Sequence, residues 1–138
     1  RISVKEFFAD LKRLNPEPYI HFQLTDESLE WEADRAQMEQ VFLNLLKNAR
    51  EACATVSEPS IQVLAESNGK ERIFIIQDNG EGILPDVLER IFIPFFTTKP
   101  SGSGIGLSLC KQIITLHGGS ISATSENGQG SCFRIIFP

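Results

Sequence analysis

Four consecutive apolar residues, Ile73-Phe74-Ile75-Ile76, run without a polar break towards Asp78-Asn79-Gly80-Glu81-Gly82. A strand at a wet edge or with one wet face alternates apolar and polar side chains, so an unbroken run predicts a central strand over Arg72 to Asp78. Ahead of it, Ser67-Asn68-Gly69-Lys70 is a turn sequence, and Ile61 to Glu66 reads as another strand. Strands joined by so short a link pair antiparallel, which excludes an all-parallel sheet.

The rest of the chain alternates between the two periods. Ser3-Val4-Lys5-Glu6 is a capping-box pattern, and Val4, Phe7, Phe8, Leu11 and Leu14 keep helical spacing until Asn15-Pro16 stops them. Tyr19 to Leu24 alternates as a half-buried strand, with a short strand expected near Leu29 to Glu32. Asp34, with Gln37 three residues on, opens the longest helix, carried by Val41, Phe42, Leu45, Leu46 and Ala49 to about Thr55. Pro85 to Arg90 reads as a short helix, Phe92 to Ser103 as a loop, and Gly104 to His117 as a helix closed by Gly118-Gly119. Strands near Ser120 to Ser125 and Ser131 to Phe137 end the chain. The expected class is α+β, a two-layer α/β sandwich in which a mixed, mostly antiparallel sheet is covered on one face by helices. Residues 1–138 are expected to form a single domain, without internal repeats.

With 41% hydrophobic residues, ten of them Phe, the chain has enough apolar area to offset ordering entropy, which excludes a disordered segment. No apolar stretch approaches the roughly 18 residues of a membrane span. The net charge of -5 argues against a nucleic-acid surface, so an anionic ligand must be held locally. Cys53, Cys110 and Cys132 lie far apart without a C-x-x-C pair and read as small buried residues of a reducing compartment. The chain starts at Arg1 with no signal pattern following it and reads as a piece of a longer protein.

Two segments carry chemistry. At Asp78-Asn79-Gly80-Glu81-Gly82 a strand ends in a carboxylate, which can accept a hydrogen bond from the exocyclic amine of a purine, while the glycines allow close backbone approach. Further on, the aromatic cluster Phe92 to Lys99 leads into Gly102-Ser103-Gly104-Ile105-Gly106 at a helix start, where free amides and the helix dipole favour a phosphate. Neither a P-loop nor a G-x-G-x-x-G fingerprint occurs. On the long helix Asn44 and Asn48 stand four residues apart on one face.

Taken in order, Gln37 to Ala52, Asp78 to Gly82, Phe92 to Lys99, Gly102 to Gly106, and Asn127-Gly128-Gln129-Gly130-Ser131 resemble the N, G1, F, G2 and last glycine boxes of sensor histidine kinases. The resemblance covers residues 34 to 138. It implies the Bergerat ATP-binding (GHKL) fold with a flexible ATP lid, and ATP with Mg²⁺ as cofactors. In those terms Asn48 resembles the magnesium-ligating asparagine and Asn44 its polar neighbour, while Asp78 resembles the adenine-reading aspartate. Gly80, Gly82 and Ile83 correspond to the segment under the base, and Phe92 to Thr98 to the lid hinge. Lys99, Gly102, Ser103, Gly104, Ile105, Gly106 and Leu107 correspond to the phosphate-contacting lid, and Ser131 closes the set. Family members often follow the second asparagine with a basic and an aromatic residue; here Ala49-Arg50-Glu51 follows, leaving Arg50 or Lys47 to supply a phosphate contact.

Related ATPases place a glutamate one helical turn before the magnesium asparagine to deprotonate water, whereas Asn44 cannot act as a base. The resemblance therefore implies a kinase that keeps its γ-phosphate for a histidine. His21, on the polar face of a strand, and His117, at a helix end, do not resemble the acceptor. That histidine is expected on a dimerisation module upstream of Arg1, with a response-regulator receiver domain as the next partner. No nucleic acid or membrane contact is expected of the domain, which is expected in the cytoplasm whether or not a longer chain is membrane-anchored. The alternatives are a degenerate nucleotide-sensing or docking module, and a serine kinase or ATPase of the same fold.

Overall fold

A computed structural model describes residues 1–96 and 106–138. The described residues form, in chain order, β1 (Ile2–Ser3), α1 (Val4–Leu14), β2 (Ile20–Leu24), β3 (Glu30–Trp31), α2 (Arg35–Ala52), β4 (Ile61–Ser67), β5 (Arg72–Asp78), α3 (Pro85–Leu88), α4 (Gly106–Leu116), β6 (Ser120–Glu126) and β7 (Gly130–Phe137). Five strands make one sheet in the order β2-β4-β5-β7-β6. β2 and β4 are parallel, and the remaining neighbours pair antiparallel. The apolar run of β5 thus lies in the middle of a mixed sheet, as its composition requires.

One sheet face and the helices bury a common core. Along β5, Phe74, Ile76 and Asp78 turn inward, and along β7, Ser131, Phe133, Ile135 and Phe137 do the same. Phe74 sits at the centre of an aromatic cluster, with ring centroids 4.9 Å from Trp31 and 5.3 Å from Phe42. Phe7 of α1 adds edge contacts to Trp31 and Phe42, tying both helices to the sheet. The opposite face carries half-buried Leu64, Ile75 and Ile136 among exposed Gln62, Gln77 and Arg134.

The two helix starts with a predicted capping pattern are capped by the expected side chains. Ser3 Oγ accepts the Glu6 N–H at 3.3 Å, and Asp34 Oδ1 accepts the Gln37 N–H at 3.0 Å. The long helix ends at Ala52 rather than near Thr55, because the Ala52 carbonyl accepts the Glu81 N–H from the turn after β5 instead of prolonging the helix. The short helix stops at Leu88, before the expected Arg90. The two-residue strand β1, which pairs antiparallel with β3, is too short to leave a periodic signal.

Candidate nucleotide site

Asp78 ends β5 on the core face, opposite Ser131 of β7, and is only 6% exposed. Its carboxylate accepts the Gly80 N–H at 2.9 Å and a backbone hydrogen bond from Ser131. Burial nevertheless pushes the Asp78 carboxyl above the usual range, with those two hydrogen bonds opposing the shift. A carboxylate so held is oriented by two backbone donors, and a charge-assisted bond from an amine would favour its ionised form against the burial.

The turn after Asp78 is wedged between two other elements. Asn79 anchors it: Oδ1 accepts the Ser60 N–H at 2.8 Å, and Nδ2 donates to the Glu58 carbonyl at 2.9 Å. A Cβ on Gly80 would lie 2.5 Å from the Ala52 carbonyl oxygen, and one on Gly82, at φ +80°, would collide with the Glu126 backbone. Both glycines are thus required by packing within the protein. Ile83, half-buried, donates its N–H to Ser125 Oγ at 2.7 Å, and that hydroxyl lies 3.2 Å from Ser131 Oγ. Sequence reasoning overlooked Asn79 and Ser125, whose partners are remote in the chain and invisible to local patterns.

Because Ala52 receives Glu81, the turn docks one helical turn beyond Asn48, about 6 Å along the α2 axis. Asn44 and Asn48 are both half-buried on α2. A Cβ on Gly106, the first residue of α4, would lie 3.7 Å from Asn44 Oδ1, so α4 starts beside this helix face. The Asn44 side chain also hydrogen-bonds Cys110, whose thiol burial pushes up to about 11. Leu107 is half-buried in the first turn of α4. Phe92 packs edge-on to Phe133 and lies under the Lys111 ammonium, 5.5 Å from the ring centre.

The structure therefore gathers Asn44, Asn48, Asp78, Gly80, Gly82, Ile83, Gly106 and Ser131 around the C-terminal half of α2 and the end of β5. Thr98, Lys99, Gly102, Ser103, Gly104 and Ile105 lie outside the described residues. Arg50 does not turn to this face. It donates to Asn15 Oδ1 and sits 3.8 Å from the Glu17 carboxylate, tying α2 to the end of α1, so the expectation that it contacts phosphate is replaced by a structural role. Lys47 is exposed. His21 is exposed on β2, as expected of a surface histidine. A depression of about 500 Å³ at the far end of the sheet, bordered by Arg1, Trp31 and Arg72, contains none of the candidate residues.

A mixed sheet backed by helices, with a buried carboxylate at its central strand end facing an asparagine-bearing helix, defines the class of GHKL nucleotide-binding domains. Residues 33–138 match the family described as histidine kinase-, DNA gyrase B-, and HSP90-like ATPase, and the chain belongs to that family. It is 44% identical over 108 residues to the sensor histidine kinase ZraS of Salmonella typhimurium, covering 78% of this chain and 23% of that protein. It is 40% identical over 121 residues to the sensory histidine kinase/phosphatase NtrB of Rhizobium meliloti, covering 77% and 31%. The chain thus spans about a quarter to a third of the length of these curated relatives. Among solved structures, the catalytic domain of the histidine kinase ThkA superposes with a TM-score of 0.87 at 33% identity, covering 99% of this chain and 93% of that one. ThkA in complex with the response regulator TrrA matches with a TM-score of 0.81 at 30% identity, over 99% of this chain and 40% of that one. The chain has the fold of the ThkA catalytic domain.

Proposed function

We infer that this domain binds Mg-ATP and donates the γ-phosphoryl group to a histidine on a dimerisation module outside residues 1–138, for relay to a response-regulator aspartate. The observation that carries this reading is the buried, raised Asp78 carboxyl at the strand end, one turn from the asparagine face of α2. A purine is the ligand that answers it, because its exocyclic amine donates and its flat ring fits beside the Gly80–Ile83 backbone. The response regulator in the ThkA complex supports the next partner in the relay.

Each role follows from side-chain chemistry. Asp78 orients the base, with Ser131 and Ile83 closing its edge. Magnesium entering with a triphosphate needs only one or two protein oxygens, and the Asn48 amide would supply one. When bound, the ion offsets charge on the phosphates. In this reading Thr98, Lys99 and the segment Gly102 to Leu107 are the residues assigned to the phosphates by type, a glycine-rich run whose backbone amides can donate and one cation, and Phe92 belongs to the hinge segment. Asn44 is an amide beside the Cys110 thiol and can take no proton from water, so hydrolysis is slow and the phosphoryl group is kept for the acceptor. ATP and receiver domains meet in the cytoplasm, where this reading places the domain, as one piece of a longer kinase.

The test is phosphotransfer. With labelled ATP and Mg²⁺, the chain should label a separately supplied histidine-bearing dimerisation module with an acid-labile, base-stable phosphate, and remain unlabelled itself. Saturable nucleotide binding with no label on that module overturns the kinase reading and favours a docking module.

A further inference from the structure

His117 follows α4 directly, and both of its ring nitrogens are engaged. Nδ1 lies 2.8 Å from the carbonyl oxygen of Ile113, inside α4. Nε2 lies 3.1 Å from the backbone nitrogen of Asp34, the residue that caps α2. A carbonyl only accepts and a backbone N–H only donates, so the ring must carry its proton on Nδ1 and present a bare Nε2. Neither nitrogen is left with a free lone pair for nucleophilic attack.

The contact sits at one end of a longer seam. α2 and α4 pack antiparallel: Gly106 lies beside Asn44, the Cys110 thiol donates to the Val41 carbonyl at 3.7 Å, and His117 meets Asp34. Between these points the two helices pack on one another, and Met38, Val41, Cys110, Ile113 and Ile114 are buried members of the common core. Apolar contact is non-directional and does not by itself fix how far one helix slides along another. The directional ties along the seam are hydrogen bonds, at Cys110 to Val41 and Asn44 midway and at His117 to Asp34 at the end, and the last joins a ring held on α4 to the backbone that opens α2.

We propose that His117 is a positioning residue that sets the register of α4 against α2, and thereby the placement of the first turn of α4 beside Asn44 and Asn48 in the nucleotide site. This rests on the reading of that site given above. The tie lies at the end of the seam away from Gly106, so it touches no ligand and acts through the two helices. A slide of one helical turn, about 5.4 Å, would carry Gly106 away from Asn44 altogether. A fraction of that slide already spoils a site built from both helices.

The experiment compares the wild-type chain with His117→Phe and His117→Gln. Phe keeps an aromatic ring against Phe137, whose ring centre lies 6.4 Å away, but removes both hydrogen bonds. Gln places its side-chain oxygen near the position of Nε2 and can again accept the Asp34 N–H. Affinity for a non-hydrolysable ATP analogue with Mg²⁺ is measured at a temperature where circular dichroism shows all three folded. Hydrogen exchange at the Asp34 amide is read on the same samples. His117→Phe should weaken the analogue by about threefold to tenfold and lose protection at Asp34, and His117→Gln should recover most of both. Wild-type affinity in His117→Phe, or equal losses in Phe and Gln, overturns the role of His117. Unchanged Asp34 protection in His117→Phe overturns the tie itself. No binding by the wild-type chain instead overturns the nucleotide site, a result distinct from either.

Discussion

At Asp78 stability and binding pull in opposite directions. The carboxyl is raised by burial, so between the unfolded value and the folded one the native chain holds more protons than the unfolded chain. Its contribution to stability therefore grows as pH falls through the folded value and is lost as pH rises. Accepting an amine favours the ionised form, so nucleotide affinity should weaken over that same fall. Asp78→Asn separates the two: the fold should change by no more than about 1 kcal/mol, since a desolvated charge is removed. Adenine nucleotide binding should weaken about 5- to 150-fold, because the amide mispairs with the base. Titration of both proteins from pH 7 downward checks this, and unchanged affinity in the variant would remove Asp78 from the site. That Asp78 ends a strand was legible in the sequence. That its neighbours Gly80 and Gly82 press on the backbones of Ala52 and Glu126 was not, because a glycine spacing is the same whether a ligand or the protein fills the space.

Among the elements, the β6–β7 turn offers a direct contrast. Gly128 and Gly130 both have positive φ, +79° and +121°, yet a Cβ on Gly128 meets open space while one on Gly130 would strike the Asp78 carbonyl. Gly128→Ala should cost about 1 kcal/mol from backbone strain alone. Gly130→Ala should cost about 2–4 kcal/mol and displace the end of β5. Denaturant unfolding of the two variants compares them, and equal costs would contradict the close approach. In the sheet, Phe74→Ala should cost about 3–5 kcal/mol, since four aromatic neighbours surround it, and a chemical melt will show whether the loss is smaller. The helix starts were legible because caps are local: Ser3 and Asp34 each reach a donor three residues on. The end of α2 was not, since what stops it is Glu81, an element away.

For the whole molecule, the strand order puts the β5 end, the β6–β7 turn and the C-terminal half of α2 at one pole. Arg72, Trp31 and His117 stand at the other. Box order along the chain already implied the fold through the family it resembles: Asp78 to Gly82 and Asn127 to Ser131 fall at strand ends, and Gln37 to Ala52 falls within α2. What box order could not carry was the use of Arg50. Residue type made it a phosphate candidate, and only the packing of α2 on α1 turns it to Asn15 and Glu17.

The account stands on this pole binding an adenine nucleotide. Calorimetric titration of the chain with ADP and with a non-hydrolysable ATP analogue, each with and without Mg²⁺, measures that directly. Saturable binding strengthened by magnesium, and lost from Asp78→Asn, is the predicted result. A folded chain that releases no heat with either nucleotide would contradict it.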